Sequence, residues 1–128
     1  GKHNNPLMTF TEEARTLYYE ICERYGLEIV AGFDIATRQK VGKTPVYDIS
    51  EVNFRVTELQ AEIAILTVPP SVAQQVADLA IEAGIRAIWN FTPHRIQPKD
   101  GIVIQDTSIY SQLALIYNRL EQQNAPNR

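Results

Sequence analysis

Cysteine is almost absent from this sequence. Cys22 stands alone among 128 residues, which excludes an intrachain disulfide and a cysteine-built metal site. A chain without disulfides suits a reducing compartment, and Cys22 falls on an apolar helical stripe as a core thiol rather than a nucleophile. An excess of basic residues is missing too: 12 Lys and Arg against 15 Asp and Glu leave a net charge of −3. That balance provides no electrostatic footprint for nucleic acid. No apolar run approaches the roughly 20 residues of a membrane span. The polar start, Gly1 to Asn5, lacks the apolar core of a signal peptide, so a cytoplasmic protein is expected. There is no Ser/His/Asp spacing, HxxxH pair, Cys/His cluster or P-loop lysine. The chain is therefore not read as an enzyme, and no catalytic residue or metal ligand is assigned. Glycine is scarce at the start, with none between Gly1 and Gly26.

What is present is an ordinary globular composition, 45% apolar, in a length that suits one domain over residues 1–128. The clearest stretch is Glu62 to Pro70, EIAILTVPP. Its nearly continuous apolar run has no helical period and reads as a strand buried on both faces, as in a parallel sheet. Pro69 and Pro70 stop it, and Ser71 to Ala83 follows as a helix with Val72, Val76, Leu79, Ala80 and Ala83 on one face. Gly84 ends that helix.

Thr9 to Gly26 reads as an earlier helix, with Thr9 and Glu12 at capping-box spacing and Thr11 as a rival cap. Residues 1–8 are expected to be loose, and Pro6 to Phe10 fits either a brief strand or a lead-in to the helix. Leu27 to Phe33 reads as a second buried strand ending at Asp34, and Pro45 to Tyr47 as a short strand near a sheet edge. Ser50 to Ala61 mixes strand formers with a helix cap and is taken as a short helix. Ile85 to Phe91 and Gly101 to Gln105 are further strands, and Ser108 to Gln122 is a C-terminal helix. Alternating short strands and helices predict an α/β fold with a mostly parallel sheet. In such sheets ligands bind at the carboxyl ends of strands, which points to Thr67 to Ser71.

Five stretches occur together and in order: Val30 to Asp34 (VAGFD), Lys40 to Gly42 (KVG), Pro45 to Tyr47 (PVY), Ile63 to Pro69 (IAILTVP) and Asn90 to Pro93 (NFTP). With Ala83-Gly84-Ile85 before the last, this set resembles the NAD(H)-binding Rossmann domain of the Rex family of redox-sensing transcriptional repressors, over about Leu27 to Leu120. The resemblance implies a nucleotide-sensing regulatory domain with a Rossmann-like fold. It places Asp34 on the adenosine ribose, Thr67, Val68 and Pro69 in the loop bordering the cofactor, and Asn90, Phe91, Thr92 and Pro93 beside the nicotinamide. It also implies a homodimer through Ser108 to Gln122, and DNA contact only through a winged-helix domain that this chain lacks.

Two features depart from that family pattern. The first Rossmann strand and its glycine-rich turn, which brings backbone close to a pyrophosphate, are both read as missing, and the first helix opens with Glu12 and Glu13, whose carboxylates would repel a diphosphate. They favour an alternative, a Rossmann relative that has lost its cofactor and serves as a dimerisation or protein-interaction module. Among single residues, His94 is expected to take a surface or cap role. Trp89 is read as core rather than as a base-stacking platform. Arg38, Arg86 and Arg95 are read as solvated charge, and Tyr110, Leu113 and Tyr117 as dimer contacts.

Overall fold

A computed structural model describes residues 5–11, 14–34, 40–107 and 120–123. Six strands form one all-parallel sheet: β1 (Leu7–Thr9), β2 (Ala31–Asp34), β3 (Val46–Asp48), β4 (Ile63–Leu66), β5 (Ala87–Asn90) and β6 (Val103–Asp106). Their spatial order is β3-β2-β1-β4-β5-β6, so the chain reverses direction across the sheet between β1 and β4. This is the Rossmann strand order, with its topological switch point at the ends of β1 and β4. Helix α1 (Ala14–Tyr25) covers one face, and α2 (Val52–Leu59) and α3 (Pro70–Ala83) cover the other.

The two faces explain the unbroken apolar character of EIAILTVPP. Ala64 and Leu66 point into the core beneath α2 and α3, while Ile65 points into the core beneath α1, and all three are fully buried. Ile63, at the start of β4, is the one partly exposed position, and burial of the other three on both faces leaves no alternation in the sequence. Helix α3 begins at Pro70, one residue before the expected start at Ser71. Pro70 sits in the first turn, where its missing N–H costs nothing. Gly84 closes the helix at φ 119°, a left-handed conformation that favours glycine, and its N–H returns to Ala80 and Ile81 carbonyls.

The start of the chain corrects two expectations. Leu7 and Met8 are not loose: they are 1% and 0% exposed and begin β1, the central strand, paired with β2 on one side and β4 on the other. The first strand of the Rossmann sheet is thus present, and Thr9 ends it rather than capping a helix. A strand of three residues is too short to display a period, and only its seat between two neighbours identifies it. Glu12 and Glu13 lie outside the described residues, as do most of the expected C-terminal helix and the dimer contacts Tyr110, Leu113 and Tyr117.

The mixed stretch from Ser50 resolves into a 3₁₀ turn (Ile49–Glu51) and α2. Val52 and Val56, which argued for strand, are the buried positions of that helix. Arg55 ties α2 to the edge strand: its guanidinium lies 3.9 Å from the centre of the Tyr47 ring and pairs with Glu51 and Glu58. The expected edge position of Pro45 to Tyr47 is met by β3, whose only strand neighbour among the described residues is β2.

Candidate functional site

The carboxyl ends of β1, β4 and β5 open onto a cleft of about 480 Å³ at the switch point. Thr67, Val68, Pro69 and Pro70 form one wall, Phe91, Thr92 and Pro93 another, and Thr11, Ala14 and Leu17 of the β1–α1 connection a third. Pro69 and Pro70 stop β4 and start α3 within three residues, which holds this wall at the strand end. A larger depression of about 580 Å³ lies over Ser50, Asn53, Phe54, Thr57 and Glu58. It spans one helix and the turn before it, so no converging backbone ends or opposed walls enclose a ligand there. The switch-point cleft is the candidate site.

The NFTP wall is set from beneath by Asn90. Its side chain is fully buried and uses both ends. Nδ2 donates to the His94 carbonyl at 2.7 Å and to Asp106 Oδ1 at 2.8 Å. Oδ1 accepts from the Thr92 N–H at 3.0 Å and from the Thr92 hydroxyl at 2.8 Å. Asn90 therefore shapes the turn and links β5 to β6 without lining the cleft. The bonds described at His94 run through its backbone, in keeping with a cap role.

Trp89 is half-buried and packs against the core beneath α1, within an aromatic row. Its ring lies 4.8 Å from Phe91 and 5.4 Å from Tyr25, and its indole N–H donates to Thr107 at 2.8 Å.

The opposite corner of the cleft depends on a residue the sequence reading treated as a helix cap. Thr9 is 1% exposed, and its hydroxyl donates to the Ile65 carbonyl at 3.3 Å and accepts the Thr67 N–H at 3.1 Å. The Thr67 hydroxyl returns a bond to the Thr9 carbonyl. The ends of β1 and β4 are thereby clasped to each other. Phe10, one residue on, lays its ring over Gly32 of β2, where a Cβ would come within 2.2 Å of it. Asp34 ends β2 at the same edge of the sheet but does not line the cleft. Among the described residues no Lys or Arg lines it, and no group of His, Cys, Asp or Glu could hold a metal. None of their helices is long and apolar enough to cross a membrane.

The strand order and the cleft at its switch point define a Rossmann-type ligand-binding domain, and residues 9–94 match the CoA binding domain family. Narrower relatives are evident. The chain is 47% identical over 100 residues to the redox-sensing transcriptional repressor Rex of Porphyromonas gingivalis, a match covering 76% of this chain and 46% of that one. It is 40% identical over 101 residues to the Rex of Bacteroides thetaiotaomicron, covering 77% and 46%.

Among solved structures, a crystal structure of RSP, a Rex-family repressor, superposes with a TM-score of 0.77 at 26% identity, over 93% of this chain and 59% of that one. RSP bound to β-NAD+ and operator DNA superposes with a TM-score of 0.79, over 93% and 57%. The chain belongs to the Rex family of redox-sensing repressors, and it spans about half the length of the curated relatives it matches. Those relatives are named as regulators, not enzymes.

Proposed function

We propose that this chain is the ligand-sensing regulatory domain of a Rex-type repressor, with nucleotides as the ligand class and the switch-point cleft as the sensing site. One observation carries the reading. In a Rex-family Rossmann sheet, Thr67 to Pro69 and Phe91 to Pro93 meet across a single cleft at the reversal of strand order. Solved relatives carry β-NAD+ and β-NADH, which makes nicotinamide and adenine nucleotides the first ligands to try.

The fit to such a ligand is uneven along its length. Phe91, Pro69 and Pro93 offer apolar faces for a ring, and Asp34 stands at the strand end that takes a ribose. The glycine-free turn after β1 gives no ordinary seat for a pyrophosphate. In this reading the chain performs no chemistry on its ligand and works in the cytoplasm. It acts as a homodimer through residues 108–122, whose apolar stripe is Ile109, Leu113, Ile116 and Leu120. DNA contact falls to sequence beyond this chain, because a net charge of −3 supplies no basic surface.

Trp89 is the only tryptophan and neighbours Phe91 of the cleft, so its fluorescence reports occupancy. Adenosine, nicotinamide riboside, NAD+, NADH, ATP and CoA are each titrated into the chain. A saturable change with at least one supports the reading. No change with any of them at millimolar concentration favours the second reading, a Rossmann relative retained for dimerisation alone, which the missing glycine turn supports.

A further inference from the structure

The turn after β1 reads Thr9-Phe10-Thr11-Glu12-Glu13-Ala14. Dinucleotide-binding Rossmann folds carry G-x-G-x-x-G/A at this place. The first glycine makes the tight turn, the second lets backbone approach the pyrophosphate, and the third lets the helix pack close to the strand. Ala14, 3% exposed, meets the third requirement. Threonines stand at the first two.

The hydroxyl of Thr9 fills the gap between the ends of β1 and β4, and it takes up the Thr67 N–H at 3.1 Å. Thr67 bonds back to the Thr9 carbonyl. Space and polar groups at this junction are thus committed to the protein itself. Thr11, at the second position, projects into the cleft wall instead of leaving it open. Two carboxylates, Glu12 and Glu13, lie in the chain between the cleft residues Thr11 and Ala14. A diphosphate brings two negative charges to a cleft whose described lining has no Lys or Arg to offset them.

The rest of the cleft suits a flat ring without an anionic group. Pro69, Pro70, Phe91 and Pro93 present apolar faces, and the hydroxyls of Thr67 and Thr92 are already bonded to the Thr9 carbonyl and to Asn90 Oδ1.

We infer that this cleft recognises a nucleoside, one ring on one ribose, and rejects dinucleotides because the Thr9–Thr67 clasp fills the seat of the diphosphate. The inference rests on the nucleotide-sensing reading above and narrows it. Calorimetric titration of the full chain with adenosine, nicotinamide riboside, NAD+ and NADH, at 0.15 M salt, separates the two. The expected result is binding of a nucleoside, with NADH and NAD+ at least tenfold weaker. Dinucleotide binding as tight as the better nucleoside overturns this inference and leaves the sensing reading standing. Failure of all four to bind overturns this inference, and the sensing reading falls only if ATP and CoA fail as well.

The cause is tested with Thr9→Gly combined with Glu12→Gln and Glu13→Gln, which is expected to strengthen NADH binding at least tenfold. Thr9→Ala replaces Thr9→Gly if circular dichroism shows the first variant unfolded. Unchanged NADH affinity in a folded variant overturns the role given to the clasp.

Discussion

Asn90 shows how much of the cleft rests on one buried amide. Its four hydrogen bonds reach the NFTP turn and the neighbouring strand, and the side chain is fully enclosed. Removing it strands polar partners away from water, each costing about 1–3 kcal/mol. Asn90→Ala is expected to lower stability by about 2–4 kcal/mol, read as a shift in the urea midpoint at constant slope.

Cys22 and Tyr18 give a second prediction at this scale. Burial pushes the Cys22 thiol above its ordinary range, although its interactions with Tyr18 and the Ile29 backbone pull the other way. Burial likewise raises Tyr18. Thr44 gives its hydroxyl proton to the Ile29 carbonyl, so Tyr18 must donate to Thr44, at 2.6 Å. Both groups hold their protons more tightly when folded. Their contribution is complete below the unfolded thiol value of about 8.5 and is lost as pH rises through the folded values. Stability measured from neutral pH into the alkaline range should therefore fall. Alkylation of Cys22 by iodoacetamide should be slower in the native chain than in the urea-unfolded one.

At the scale of elements, β1 is the strand on which the sheet turns, and its contact with β2 is unusually exacting. The Phe10 ring lies where a side chain on residue 32 would be, and it is itself buried and 5.8 Å from the Tyr18 ring. Gly32→Ala forces that ring to move within a packed layer and is expected to cost about 1–3 kcal/mol in thermal or chemical unfolding. Phe10→Leu in the same chain should recover part of the loss.

What the sequence displayed varied by element. β4 and α3 were legible because burial on both faces leaves an unbroken run, and because two prolines and a glycine mark the boundaries in between. β1 was not, since three residues carry no period and Thr9 is as good a helix cap as a strand end. The cleft walls at Thr67 to Pro69 and Phe91 to Pro93 could be placed from motif spacing. The clasp between Thr9 and Thr67 could not, because it joins residues 58 positions apart through side chains. The one signal available for it was the spacing Thr9-x-Thr11-x-x-Ala14 after a strand, which the helix assignment concealed.

For the whole molecule, the strand order sets the cleft at the one place where backbone ends diverge, and family membership sets the expectation of a sensor. Oligomeric state belongs to this scale. Light scattering should report a dimer for the chain, and Leu113→Asp with Ile116→Asp, on the stripe of residues 108–122, should convert it to a folded monomer. The central claim, a ligand site at the switch point, is tested most directly by backbone amide chemical shifts during titration with adenosine and with NADH. The account predicts saturable shifts concentrated at Thr11, Thr67, Val68, Phe91 and Thr92. Shifts confined to Asn53, Phe54, Thr57 and Glu58 of α2, or no saturable shifts with either ligand, would contradict it.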